Sequence, residues 1–106
     1  MPKYLFQVSY TAEGTKGLLK DGGSKRRAAA QKLVESLGGK LDVIYYAFGD
    51  SDAFVIADLA DNATAAAASL TLGASGALTN KTTVLLTPED IDKAVQKHPS
   101  YTPPGH

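Results

Sequence analysis

Tyr4, Phe6, Val8 and Tyr10 alternate with Lys3, Leu5, Gln7 and Ser9 over residues 3–10, the period-two pattern of a strand rich in aromatic and β-branched formers. Thr11 ends that strand and caps a short helical turn through Glu13, Lys16, Leu18 and Leu19, which Gly14 and Gly17 weaken. Asp21-Gly22-Gly23 breaks the chain. Ser24 then caps a helix that carries Ala30, Leu33, Val34 and Leu37 on one stripe and stops at Gly38-Gly39. The most informative stretch is Leu41 to Leu59, which reads as two strands joined at Gly49-Asp50-Ser51. Its first strand is apolar on both faces: Leu41, Val43, Tyr45 and Ala47 on one, Ile44, Tyr46 and Phe48 with Asp42 on the other. A hairpin with one wet face alternates apolar with polar, so this pattern asks for helices on one side and a second subunit or bound molecule on the other.

Asp61 or Asn62 caps the next helix, whose Ala65–Ala68 run permits close approach to a sheet and which Gly73 or Gly76 ends. A threonine-rich strand over residues 78–87 follows. Thr87-Pro88-Glu89-Asp90 opens a last helix, with a hydroxyl at the cap, proline at its first position and acids in its first turn. That helix carries Ile91, Ala94 and Val95 and stops at His98-Pro99. The order strand, helix, strand, strand, helix, strand, helix predicts an α+β, ferredoxin-like βαββαβ fold with a four-stranded antiparallel sheet and a C-terminal helix. One domain over residues 1–98 is expected, with a flexible tail at 99–106 too poor in apolar residues to fold alone.

Composition narrows the partners. Eleven basic residues balance eleven acidic ones, so no overall field favours nucleic acid or an anionic membrane. Strand residues follow Met1 directly and no membrane-length apolar run occurs, which makes the cytoplasm the expected location. The chain has no cysteine, which removes thiolate metal sites and cysteine nucleophiles. Its two histidines are too few for a transition-metal site, and with only His98 in the folded part there is too little choice of base for a catalytic triad. No metal and no cofactor is expected.

The residues resemble the GYD domain family, small bacterial proteins of the dimeric α/β-barrel superfamily. The resemblance rests on Tyr4 to Thr11, on Lys25-Arg26 before an alanine-rich helix, on Glu35 to Lys40, on Tyr45-Tyr46 before Gly49, and on Thr82-Thr83. The family's usual Gly-acid-Tyr-Asp appears as Gly49-Asp50-Ser51-Asp52; serine replaces the tyrosine, so no role of that ring carries over. What the resemblance implies is a sheet that pairs into a dimeric α/β barrel, hence a homodimer or higher homo-oligomer, and little chemistry.

Several residues are candidates for a site. Positive side chains at a helix start oppose the macrodipole. Lys25-Arg26-Arg27 therefore reads either as an anion site built with Gly22, Gly23 and Ser24, or as a solvated face beside Asp21. Tyr10, Tyr45 and Tyr46 either line a cavity between sheet and helices or pack as core and interface. Asp50 and Asp52 read either as an acid and base pair or as turn residues, since they flank a tight turn where aspartate is common for local hydrogen bonding; Asp52 matches the family's aspartate and is one candidate base, His98 the other. The ligand-binding set is thus Tyr10, Gly22, Gly23, Ser24, Arg26 and Tyr46. The leading functional expectation is a homodimeric protein that binds a small anionic or aromatic metabolite, or serves as an accessory protein. The alternatives are a cofactor-independent isomerase or monooxygenase, as elsewhere in the superfamily, and a purely structural interaction module. The lack of tryptophan and the shortage of bases weigh against the enzyme.

Overall fold

Tyr4, Phe6 and Val8 turn inward along β1 (Lys3–Tyr10) and form the floor of the core together with Ala53, Val55 and Ala57 of β3 (Ala53–Asp58). The computed structural model describes residues 1–106. β1 and β3 pair antiparallel as the two central strands, with β2 (Lys40–Tyr46) beyond β3 and β4 (Leu78–Leu85) beyond β1, giving the order β2-β3-β1-β4. Four helices complete the chain: α1 (Ala12–Asp21), α2 (Gly23–Ser36), α3 (Asn62–Ala74) and α4 (Pro88–Val95).

The α+β class and the four-stranded antiparallel sheet are those the sequence predicts. The barrel is not. β2 and β4 each pair with a single neighbour, so the sheet keeps two free edges and is open where closure into a dimeric α/β barrel was expected. Closure needs every strand to pair on both sides, and neither edge strand does so. The homodimer that the resemblance implies, and the metabolite binding expected from the tyrosines and the basic cluster, are likewise not shown by this single open sheet.

Two local differences have clear causes. The short turn expected over residues 13–19 is a full ten-residue helix, α1. Thr11 accepts the Gly14 N–H at 3.2 Å. Gly14 is buried where a side chain would strike the Ala77 carbonyl, so it is there for close approach rather than for flexibility. The second difference lies in β2, where a bulge between Leu41 and Val43 breaks the alternation. Leu41 pairs with Ala57, Ile44 with Val55 and Tyr46 with Ala53. Those three therefore share the helix side of the sheet, and Val43 and Tyr45 face away from it.

The starts of α1, α3 and α4 follow their capping residues; α2 does not, because it begins at Gly23 with Gly22 at its cap, so that Ser24, expected as the cap, lies inside the helix and caps nothing. Asp61 Oδ1 accepts the Thr64 N–H at 2.9 Å at the start of α3. Thr87 and Asp90 close a capping box at the start of α4. Hydrogen bonds from Thr64 hold the Asp61 carboxyl below its ordinary value of 3.8, and those involving Thr87 do the same for Asp90. Both carboxylates thus favour the fold above the ordinary carboxyl value, and that contribution is lost as pH falls through their lowered values. Acid titration followed by circular dichroism should therefore show helix loss beginning below pH 3.8. Asp61→Asn, which keeps a neutral acceptor at the cap, should flatten the part of that response due to α3.

Candidate functional site

α2 packs over β2 and α3 over β4, so the central strands are covered from the two flanks. The inward face of α3 carries the small Ala65 and Ala68, and that of α2 carries Ala30 and Val34. Small side chains let each helix sit close to its own edge of the sheet, but they do not fill the space between the helices. The result is an apolar cleft of about 150 Å³ over β1 and β3, floored by Phe6, Val8 and Val55 and walled by Leu33 and Leu72. Thirteen of its fourteen lining residues are hydrophobic; the exception is Arg26. An apolar cavity of about this volume holds a benzene-sized molecule.

The half-buried Tyr10 stands at the junction of this cleft with two others of about 270 and 340 Å³. One joins it to Arg26, Glu13 and Asp21, the other to Gly23, Tyr46 and Asp52. Tyr10 and Arg26 thus come together, and Tyr10, Gly23 and Tyr46 meet on the opposite side. The Tyr46 hydroxyl donates to the Gly23 carbonyl at 3.0 Å. Burial raises the Tyr46 phenol above its ordinary value of 10.0, Tyr10 adds to the rise, and Arg26 and Arg27 oppose it. The phenol is therefore a neutral hydrogen-bond donor across the physiological range.

Gly22 and Ser24 are exposed at the start of α2 and line none of these three clefts. Gly22 takes a φ of +79°, which joins α1 to α2, and gives α2 no side-chain cap. Asp21 supplies a counter-charge to the basic cluster: its carboxylate lies 3.6 Å from Lys25 Nζ and 3.9 Å from Arg26 Nη1. The second distance is at the limit of an ion pair, so the Arg26 guanidinium keeps donors for another acceptor. Arg27 is exposed.

Asp52 has a structural connection. Its Oδ2 accepts the Tyr10 N–H at 2.7 Å and its own N–H donates to the Val8 carbonyl at 2.7 Å, tying the β2–β3 loop to the end of β1. Asp50 is exposed and only its backbone carbonyl is engaged, by Ser9 Oγ. His98 lies exposed beyond α4, with a left-handed φ of 47°, and lines none of the three clefts. No group of three or more His, Cys, Asp or Glu side chains comes together, and no helix is long and apolar enough to cross a membrane.

The sequence reading passed over Phe6, Val8, Leu33, Ala68 and Leu72 as site residues. The signal that bears on them is the alanine content of α2 and α3, of which the Ala65–Ala68 run alone suggests close approach to the sheet. No curated protein and no solved structure matches the chain. The model of the GYD domain matches residues 4–95, from the start of β1 to the end of α4, and the chain therefore belongs to the GYD domain family.

Proposed function

We propose that this protein binds a small aromatic or short-chain acid in the cleft between α2 and α3, as a binding or accessory protein. The supporting observation is the pairing of a benzene-sized apolar space with a single charged side chain, Arg26, among its lining residues. An apolar ring or chain leaves water for the cleft, and the carboxylate meets a guanidinium whose contact with Asp21 is long. Tyr10, which borders all three clefts, offers a second polar atom near the entrance. Gly23 and Tyr46 line the neighbouring cleft that Tyr10 shares, while Gly22 and Ser24 stay outside it at the start of α2. Binding is favoured over catalysis because the cleft lining holds no carboxylate and no histidine, the side chains that most often serve as general bases.

Titration calorimetry with benzoate, phenylacetate and hexanoate tests this, with benzyl alcohol as the uncharged control. Arg26→Gln should weaken the acids about tenfold to a hundredfold, as expected for loss of one charge-assisted hydrogen bond, and leave the alcohol unchanged. Ala30→Phe, which places a ring in the cleft from a half-exposed position on α2, should abolish binding of all four. Wild-type protein that takes up none of the acids at millimolar concentration would remove the proposal.

A homo-oligomer built on the open side of the sheet is proposed alongside it. Leu5, Val43, Phe54, Ile56 and Leu85 alternate with the inward residues of their strands and are each only partly covered, and Tyr45, opposite Phe54 on the same face, is 70% exposed. Contiguous apolar surface of this kind on a sheet favours a protein partner.

A further inference from the structure

We infer that α4 is an exchanged arm, which packs its apolar stripe against the open sheet face of a second copy of this chain. The inference rests on the homo-oligomer proposed above and adds the element that holds it together. α4 has eight residues, and helices this short are not stable in water without a packing partner. Its capping box and its proline at the first turn specify the helix well, yet it buries no residue in its own chain. Ile91 and Val95, four apart and so on one face, are 46% and 62% exposed, and Leu86 just before the helix is 64% exposed. Every residue from Leu86 to His106 is exposed.

The shape of the whole chain says the same. Its radius of gyration is 16.9 Å, where a compact chain of 106 residues has about 13 Å, and it extends 57 Å along one axis against 33 and 22 Å along the others. It exposes 7397 Å², where a compact monomer of its mass exposes about 5,700 Å². The surplus, about 1,700 Å² by that scaling, includes the exposed residues 99–106 as well as α4 and is about twice the roughly 800 Å² that each partner gives to an ordinary stable interface. A second copy is the occupant that uses this surplus. The chain carries both an unpartnered apolar helix and an unpartnered apolar sheet face, and one two-fold contact satisfies each of them twice.

Light scattering after gel filtration, on full-length protein at micromolar concentration, tests this. Wild type should run at twice the chain mass. Ile91→Asp/Val95→Asp should run as a single chain or show a dissociation constant raised at least tenfold, and Lys93→Ala, on the opposite side of α4, should stay dimeric. Because α4 buries nothing in its own chain, the double variant should keep the wild-type circular dichroism of the sheet, so a loss of assembly would not reflect unfolding. Wild type at single-chain mass up to about 100 µM, a concentration far above the dissociation constant of a specific dimer, would overturn both the homo-oligomer and the arm. A dimer that Ile91→Asp/Val95→Asp leaves equally tight would overturn the arm alone.

Discussion

Tyr4→Ala should lower the stability of the fold by about 3 to 5 kcal/mol, the usual loss for deleting a large buried ring. A domain of this size has about 5 to 15 kcal/mol in total, so the variant should lose a large share of its stability. Tyr4 is 1% exposed and sits mid-sheet, paired with Ala57 on one side and Val84 on the other. Its hydroxyl donates to Asn62 Oδ1 at 2.8 Å, which fastens the central strand to the first turn of α3. Tyr4→Phe keeps the ring and drops only that bond. Asn62 is exposed and can turn its amide to water, so this change should cost about 1 kcal/mol. Urea denaturation of the two variants should show a midpoint shift several times larger for alanine. Equal shifts would mean that the ring is not packed between β3 and β4 as described.

How far the fold was legible depended on whether the deciding interaction was local. β1 was readable to the residue, because its alternation runs unbroken from Lys3 to Tyr10. The starts of α3 and α4 were readable because Asp61 and Thr87 cap through hydrogen bonds three residues away. β2 was misread in its faces because a bulge leaves no mark in a run that is apolar throughout. α1 was undervalued because a glycine that permits close packing and one that merely loosens a helix are the same letter. The open sheet was out of reach for a further reason: whether the edges β2 and β4 find partners depends on surfaces far apart in sequence, and the expectation of closure came from resemblance.

The candidate site divides along the same line. Tyr10 and Arg26 were singled out for their chemistry, one as a strand-end phenol and the other as a cation placed against a helix dipole, and the structure brings both to the rim of one cleft. The cleft itself was invisible. It is a space left between α2 and α3 because each lies over its own edge of the sheet, and an alanine run predicts contact or void equally well. Asp52 shows the converse. Its place in the family motif invited a chemical role, while its carboxylate is found bonded to the Tyr10 amide in the turn.

Gly14→Ala and Gly39→Ala should each destabilise the protein, and Gly17→Ala should stabilise it, although all three changes add one methyl group. At Gly14 the new Cβ would overlap the Ala77 carbonyl and press on the Tyr10 ring; at Gly39 it would overlap the Asp58 carbonyl and the Leu59 side chain. These obstacles are largely backbone and cannot rotate away. The Ala77 carbonyl is also fixed by the Thr11 N–H at 3.0 Å, and Gly39 itself donates to the Val34 carbonyl at 3.0 Å. Relief requires α1 to lift from the approach to β4, or the end of α2 to lift from the end of β3. Overpacking of this kind costs typically about 1 to 3 kcal/mol, and more where backbone must shift. Gly17 has nothing within 4 Å of the added position and lies inside α1, so alanine there should gain about 0.5 to 1 kcal/mol by restricting the unfolded chain. Thermal melts should therefore rank Gly17→Ala above wild type and wild type above the other two. If Gly14→Ala melted with Gly17→Ala, the close approach of α1 to Ala77 would be wrong, and with it the wall of the cleft that joins Tyr10 to Arg26.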